Sequence, residues 1–136
     1  MIVPYSQLPS IKSRVFLVPL LPITFTHGLH EISTLALVDS GAAGAVISTV
    51  IADELGIDWH NIKMDAGFSV GGTFRSHTIE EVIIEVLNQT FPLKLSIVEG
   101  IGPYTYILGQ ADIFQKAKIT FESYKEQFTI DFRKYN

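Results

Sequence analysis

The 136-residue chain contains no cysteine. Disulfides and thiolate–metal centres are therefore excluded, and the redox compartment is left open. Charge is scarce too: 18% of residues are charged, and the ten Lys and Arg form no basic cluster against a net charge of −4. That balance argues against a nucleic-acid partner and gives no reason to expect binding to an anionic membrane. Long hydrophobic runs are also missing. The most apolar stretch, residues 15–25, spans 11 residues and carries Pro19 and Pro22, too short and too broken to cross a bilayer. Met1-Ile2-Val3-Pro4-Tyr5 lacks a basic leader followed by an apolar core, so no signal peptide is expected and a cytoplasmic location is the default. Gly41-Ala42-Ala43-Gly44 has neither the lysine nor the hydroxyl residue of a phosphate loop. His27 and His30 have a metal-compatible gap without a third ligand, so no metal and no cofactor is expected.

What is present is apolar and strand-forming. Hydrophobic residues make up 47% of a chain short enough to be one domain, 1–136, and a surplus of apolar surface at this size leans toward an oligomer. Residues 14–26 form a strand whose prolines suggest an edge or a bend. A second strand, 31–39, follows the turn 27–30. Residues 44–47 lead to Ser48 as the N-cap of a helix over 49–55, with Gly56 after its end. Residues 68–75 make a hairpin tipped by Gly71-Gly72, and 78–98 a second one turning at 88–90. A loop over 99–104 precedes a strand at 106–109, a short helix around 111–116 and a last hairpin pairing 117–121 with 127–132. Many short strands with one or two short helices specify an all-β, barrel-like domain.

Two segments carry chemistry. Leu35-Ala36-Leu37-Val38 runs into Asp39-Ser40-Gly41-Ala42, delivering a carboxylate from a buried strand into a turn of small residues. Some 70 residues later Tyr106-Ile107-Leu108-Gly109 repeats the pattern of an apolar strand stopping at glycine. Either segment alone is ordinary: a turn-forming Asp, a core strand.

Together they resemble the retroviral-type, retropepsin-like aspartic proteases in their cellular and microbial branch, over residues 15–132. The resemblance implies a closed acid-protease barrel forming a single lobe that dimerises, and an endopeptidase acting on peptide or protein substrates. Asp39 is then the catalytic carboxylate, Ser40, Gly41 and Ala42 its active-site turn, and Ile107, Leu108 and Gly109 the support beneath it. Val70, Gly71, Gly72 and Thr73 take the place of the flap whose backbone amides hold substrate. One Asp turn per chain means that the second carboxylate is Asp39 of another copy, because the chemistry needs two carboxyls sharing one proton. Both chain ends, residues 127–132 foremost, are expected at that interface. The family's usual ion pair is replaced by Ala43 and Gln110, both partners being absent together. The alternatives are a non-catalytic peptide-binding or dimerisation module on the same fold, and a structural barrel whose Asp39 is incidental.

Overall fold

The computed structural model describes residues 1–8, 16–69, 72–102 and 105–134. Its elements run in the order β1 (Ile2–Pro4), β2 (Ser6–Gln7), β3 (Leu17–Val18), β4 (Leu20–His27), β5 (His30–Val38), β6 (Ala45–Ser48), α1 (Thr49–Glu54) and a 3₁₀ turn (Trp59–Asn61). Then follow β7 (Met64–Ser69), β8 (Gly72–Val86), β9 (Gln89–Val98), β10 (Tyr106–Leu108), α2 (Ile113–Lys116), β11 (Ala117–Glu122), a second 3₁₀ turn (Ser123–Lys125) and β12 (Gln127–Phe132). No helix among the described residues is long and apolar enough to cross a membrane.

Six strands close on themselves. The order β4-β5-β10-β6-β9-β8 returns to β4 through a β4–β8 pairing, and β7 hangs from β8 as a hairpin arm. The alternation of each strand decides which face looks inward. In β4, Leu21, Ile23 and Phe25 are buried while Pro22 is exposed. In β9, Phe91, Leu93, Leu95 and Ile97 are buried, and Pro92 and Lys94 exposed. The prolines obey the rule that a ring nitrogen cannot donate to a ladder. β8 pairs with β4 only over Ile23–Thr26, so Pro22 precedes that ladder. β6 pairs with β9 only over Leu95–Val98, so Pro92 also sits on an open stretch. The segment anticipated as an edge or a bend is interrupted at Pro19 between β3 and β4, and β4 is a barrel strand with two partners whose Pro22 sits where one of them is missing.

Helix α1 is capped as its sequence suggests: the Ser48 side chain accepts the Ile51 amide at 3.3 Å, and Gly56 follows with φ +68°. Its buried face, Ile51 and Ala52, joins the barrel core together with Leu55 and Ile57. The β8–β9 turn falls at Leu87 and Asn88, both at positive φ, one residue earlier than the anticipated 88–90. Two consecutive left-handed residues match the right-handed twist of the flanking strands.

A three-stranded sheet of order β1-β12-β11 lies beside the barrel, its buried Phe128 and Ile130 joining the same core. β12 is the middle strand, paired with β11 along Gln127–Phe132 and with β1 along Gln127–Thr129.

Candidate functional site

β5 and β10 run parallel, Leu37 beside Ile107 and Val38 beside Leu108, while β10 is antiparallel to β6. This pairing brings the two anticipated segments together. Val38 is buried and Asp39 half-buried, after which Ser40 and Gly41 are exposed. The backbone of Asp39 is anchored by its amide, which donates to the Leu108 carbonyl at 3.0 Å. Its carboxylate Oδ1 accepts the Gly41 amide at 2.8 Å, and its carbonyl accepts the Ala42 amide at 3.2 Å. The turn is therefore closed on itself and holds the carboxylate by a backbone donor.

Gly109 lies directly beneath. A Cβ there would stand 2.5 Å from the Ala42 carbonyl oxygen and 2.9 Å from that of Gly44. Its φ is not left-handed; glycine is required here for room between two backbones. The chain past Gly109 then stitches the crossing: Gln110 donates its amide to Ala42 O at 2.9 Å, and Ala111 donates to Ala43 O at 2.8 Å. The Gln110 side chain donates from Nε2 to the Ser40 carbonyl at 2.8 Å. Where the sequence showed an ion pair missing, a neutral amide ties the loop to β10's exit.

The residue that sequence reasoning passed over is Asp112. It caps α2, with Oδ1 accepting the amides of Gly109 at 3.0 Å and Ile113 at 2.6 Å. Only 5% of its surface is exposed, and Oδ2 is buried without a partner. Burial pushes its carboxyl above the ordinary range, opposed by the amides of Ile113, Gly109 and Ala45. The available signal is an Asp directly ahead of a four-residue helix, an N-cap pattern; the helix expected around 111–116 begins at Ile113.

A cleft of about 900 Å³ opens beside Asp39 and Ser40. Phe16, Leu17, Leu37 and Phe121 supply apolar wall; Tyr5, Ser123 and Glu126 are its other polar members. Gly72 and Thr73 do not line it. They begin β8, paired with Ser69 and Phe68 on the β7 arm, and Gly72 adopts φ +118°. Val70 and Gly71, the other two anticipated flap residues, lie outside the described residues. At the stem of the same arm, His77 is 5% exposed, with Nδ1 2.9 Å from the Ile62 carbonyl and Nε2 2.8 Å from Glu99 Oε2. Among the described residues no three His, Asp or Glu side chains are grouped to hold a metal.

No protein-family model and no curated protein matches the chain in sequence. Its likeness is to solved structures. A retropepsin-like aspartic protease from Rickettsia conorii superposes with a TM-score of 0.62 at 15% identity, covering 80% of this chain and 88% of that one. The EIAV protease complexed with the inhibitor HBY-793 superposes with a TM-score of 0.54 at 21% identity, covering 72% and 86%. The closed six-stranded barrel, its two short helices and the crossing of the Asp39 turn over Gly109 constitute a retropepsin-like fold.

Proposed function

We propose that this chain is one protomer of a homodimeric aspartic endopeptidase, a single domain over residues 1–136 with Asp39 as its catalytic group. The observation that carries this reading is the Asp39 turn. Its carboxylate leaves a buried strand, accepts one backbone amide, and faces a cleft over a backbone crossing that only glycine fits. One of the similar structures is a retropepsin-like aspartic protease by name and the other a protease, which supports the same assignment.

The chemistry follows from placing two such turns face to face. Two close carboxyls cannot both ionise, so one carries a proton and the other is a base. The base takes a proton from a water lying between them as the water oxygen bonds to the peptide carbonyl carbon. The carboxylic acid donates its proton toward the carbonyl oxygen. Collapse of the tetrahedral species breaks the C–N bond, and the departing nitrogen takes up a proton. Each chain has one Asp turn, so two-fold pairing supplies the second carboxyl. Exposed apolar side chains near the turn, Phe16 at 47% and Leu17 at 38%, are surface that such pairing or a bound peptide would cover. The β7–β8 arm, with Val70, Gly71, Gly72 and Thr73, is the flap of this reading, closing over an extended peptide by backbone donors.

The test is hydrolysis of a fluorogenic peptide library with sedimentation of the same samples. Activity is expected from a dimer, and Asp39→Asn should leave below about 1% of it, since a general base contributes at least ~100-fold. Full activity from a monomer, or an active Asp39→Asn protein, overturns the assignment. A dimer that binds a statine peptide without cleaving any substrate supports the non-catalytic peptide-binding module instead.

A further inference from the structure

We propose that Gln110 is a positioning residue for Asp39, acting through the peptide group that joins Ser40 to Gly41. This rests on the reading of Asp39 given above. Gln110 Nε2 donates to the Ser40 carbonyl oxygen at 2.8 Å, and the N–H of the same peptide group, that of Gly41, donates to Asp39 Oδ1 at 2.8 Å. One planar, conjugated unit thus receives a hydrogen bond at one end and gives one at the other. Donation to a carbonyl oxygen draws density from the amide nitrogen and makes its N–H a stronger donor, so the two bonds reinforce each other. They also fix the plane of that peptide group, and with it the side of the carboxylate that is occupied. The opposite face of Asp39 is left for water and substrate.

The Gln110 side chain is aimed by its own backbone. Its amide donates to Ala42 O at 2.9 Å, and its carbonyl accepts Gln115 Nε2 at 3.0 Å. Both ends of the residue are therefore tied, one to the Asp39 loop and one to α2. The amide achieves this without charge, so no acidic residue is needed at position 43 to balance it.

Gln110→Met keeps the length and removes the donor; Gln110→Arg restores a donor. Two readouts are taken on each. In ¹H–¹⁵N spectra of wild type and variants, the Gly41 amide proton should move upfield in Gln110→Met, exchange faster with solvent, and return toward its original position in Gln110→Arg. In peptide hydrolysis, kcat should fall about three- to tenfold in Gln110→Met, the span of one ordinary hydrogen bond, with KM unchanged and kcat recovered in Gln110→Arg. A Gly41 resonance that does not respond to Gln110→Met overturns the relay whether or not the protein hydrolyses peptides. A response in a wild-type protein that cleaves nothing upholds the relay and overturns the catalytic reading alone. Because Gln110 is exposed, the variants should fold; if Gln110→Met disturbs the spectrum globally, Gln110→Ala read in the same way decides.

Discussion

The turn at Asp39 and the arm formed by β7 and β8 both carry glycines, yet they are held in opposite ways. The turn is braced from below by backbone: Leu108, Gln110 and Ala111 exchange hydrogen bonds with Asp39, Ala42 and Ala43. Gly109 lies too close to admit even a methyl group. The arm is held by its own ladder and, at its stem, by the Glu99 amide, which donates to the Arg75 carbonyl at 3.0 Å. Asp65 and Ala66 on one strand and Gly72, Thr73 and Arg75 on the other are exposed, and its six paired positions connect β7 to nothing but β8. A segment with few buried contacts and a solvent-facing ladder opens at low free-energy cost, whereas one wedged between core strands opens with the whole domain. The proposed endopeptidase, which would hold a carboxylate still and admit a long peptide, needs both kinds of segment.

The same substitution made in each region separates them most sharply. Gly109→Ala should lower stability by about 3 kcal/mol, the upper end of an overpacking penalty, because carbonyl oxygens at 2.5 and 2.9 Å belong to backbone that cannot rotate away. Chemical denaturation is the measurement, and a loss below about 1 kcal/mol would show that the crossing can relax.

The stem of the arm gives the next effect, and it depends on pH. His77 places one ring nitrogen against the Ile62 carbonyl and the other against Glu99, so only the imidazolium donates to both. The carbonyl of Ile62 and then the hydrogen bond to Glu99 raise its pKa above 6.5; burial works the other way, and the charges of Glu99 and Asp65 add to the rise. The edge of Trp59 packs on the ring at 5.1 Å. A folded value raised above the unfolded one means that this contribution is fully present below about pH 6.5 and is lost as pH climbs through the raised value. Stability should accordingly decline from pH 6 to 8. His77→Phe should cost about 2 kcal/mol at pH 5, a charged hydrogen-bond pair, and should flatten the decline. An unchanged slope in the variant would assign the pH dependence elsewhere.

Smallest is the partner of the first. Gly72→Ala places a side chain at φ +118°, for which the cost is about 1 kcal/mol of local strain, with open space around the new methyl. Because β7 is laddered to β8 alone among the described strands, hydrogen exchange should quicken in residues 64–69 and 72–76 and leave residues 39–44 and 108–111 unchanged. Faster exchange at Asp39 or Gly109 in this variant would mean that arm and turn open together.

Much of this was legible in the chain itself. The alternation Leu21, Ile23, Phe25 and Phe91, Leu93, Leu95, Ile97 announces barrel strands, Ser48 and Gly56 bracket α1, and Asp39-Ser40-Gly41-Ala42 with Ile107-Leu108-Gly109 marks the crossing. These are signals written within ten residues, where backbone propensity and inward-facing side chains decide the outcome. Asp112 is different: nothing in Ala111-Asp112-Ile113 states that this carboxyl will be buried with one oxygen unpartnered, because its surroundings include β6, whose Ala45 amide comes from a distant part of the chain. His77 reads as one polar position in a strand until Ile62 and Glu99 close on both ring nitrogens. The middle place of β12 is likewise set by β1, a three-residue segment too short to declare itself a strand without a partner. Even the neutral tie from Gln110 to Ser40 depends on the parallel pairing of β5 and β10. By itself the sequence determined which segments are strands, which face of each is apolar, and which turn carries a carboxylate. Only the tertiary structure decided which polar groups lose water and what they meet when they do, since desolvation and hydrogen-bond partners are properties of assembled surfaces rather than of neighbouring residues.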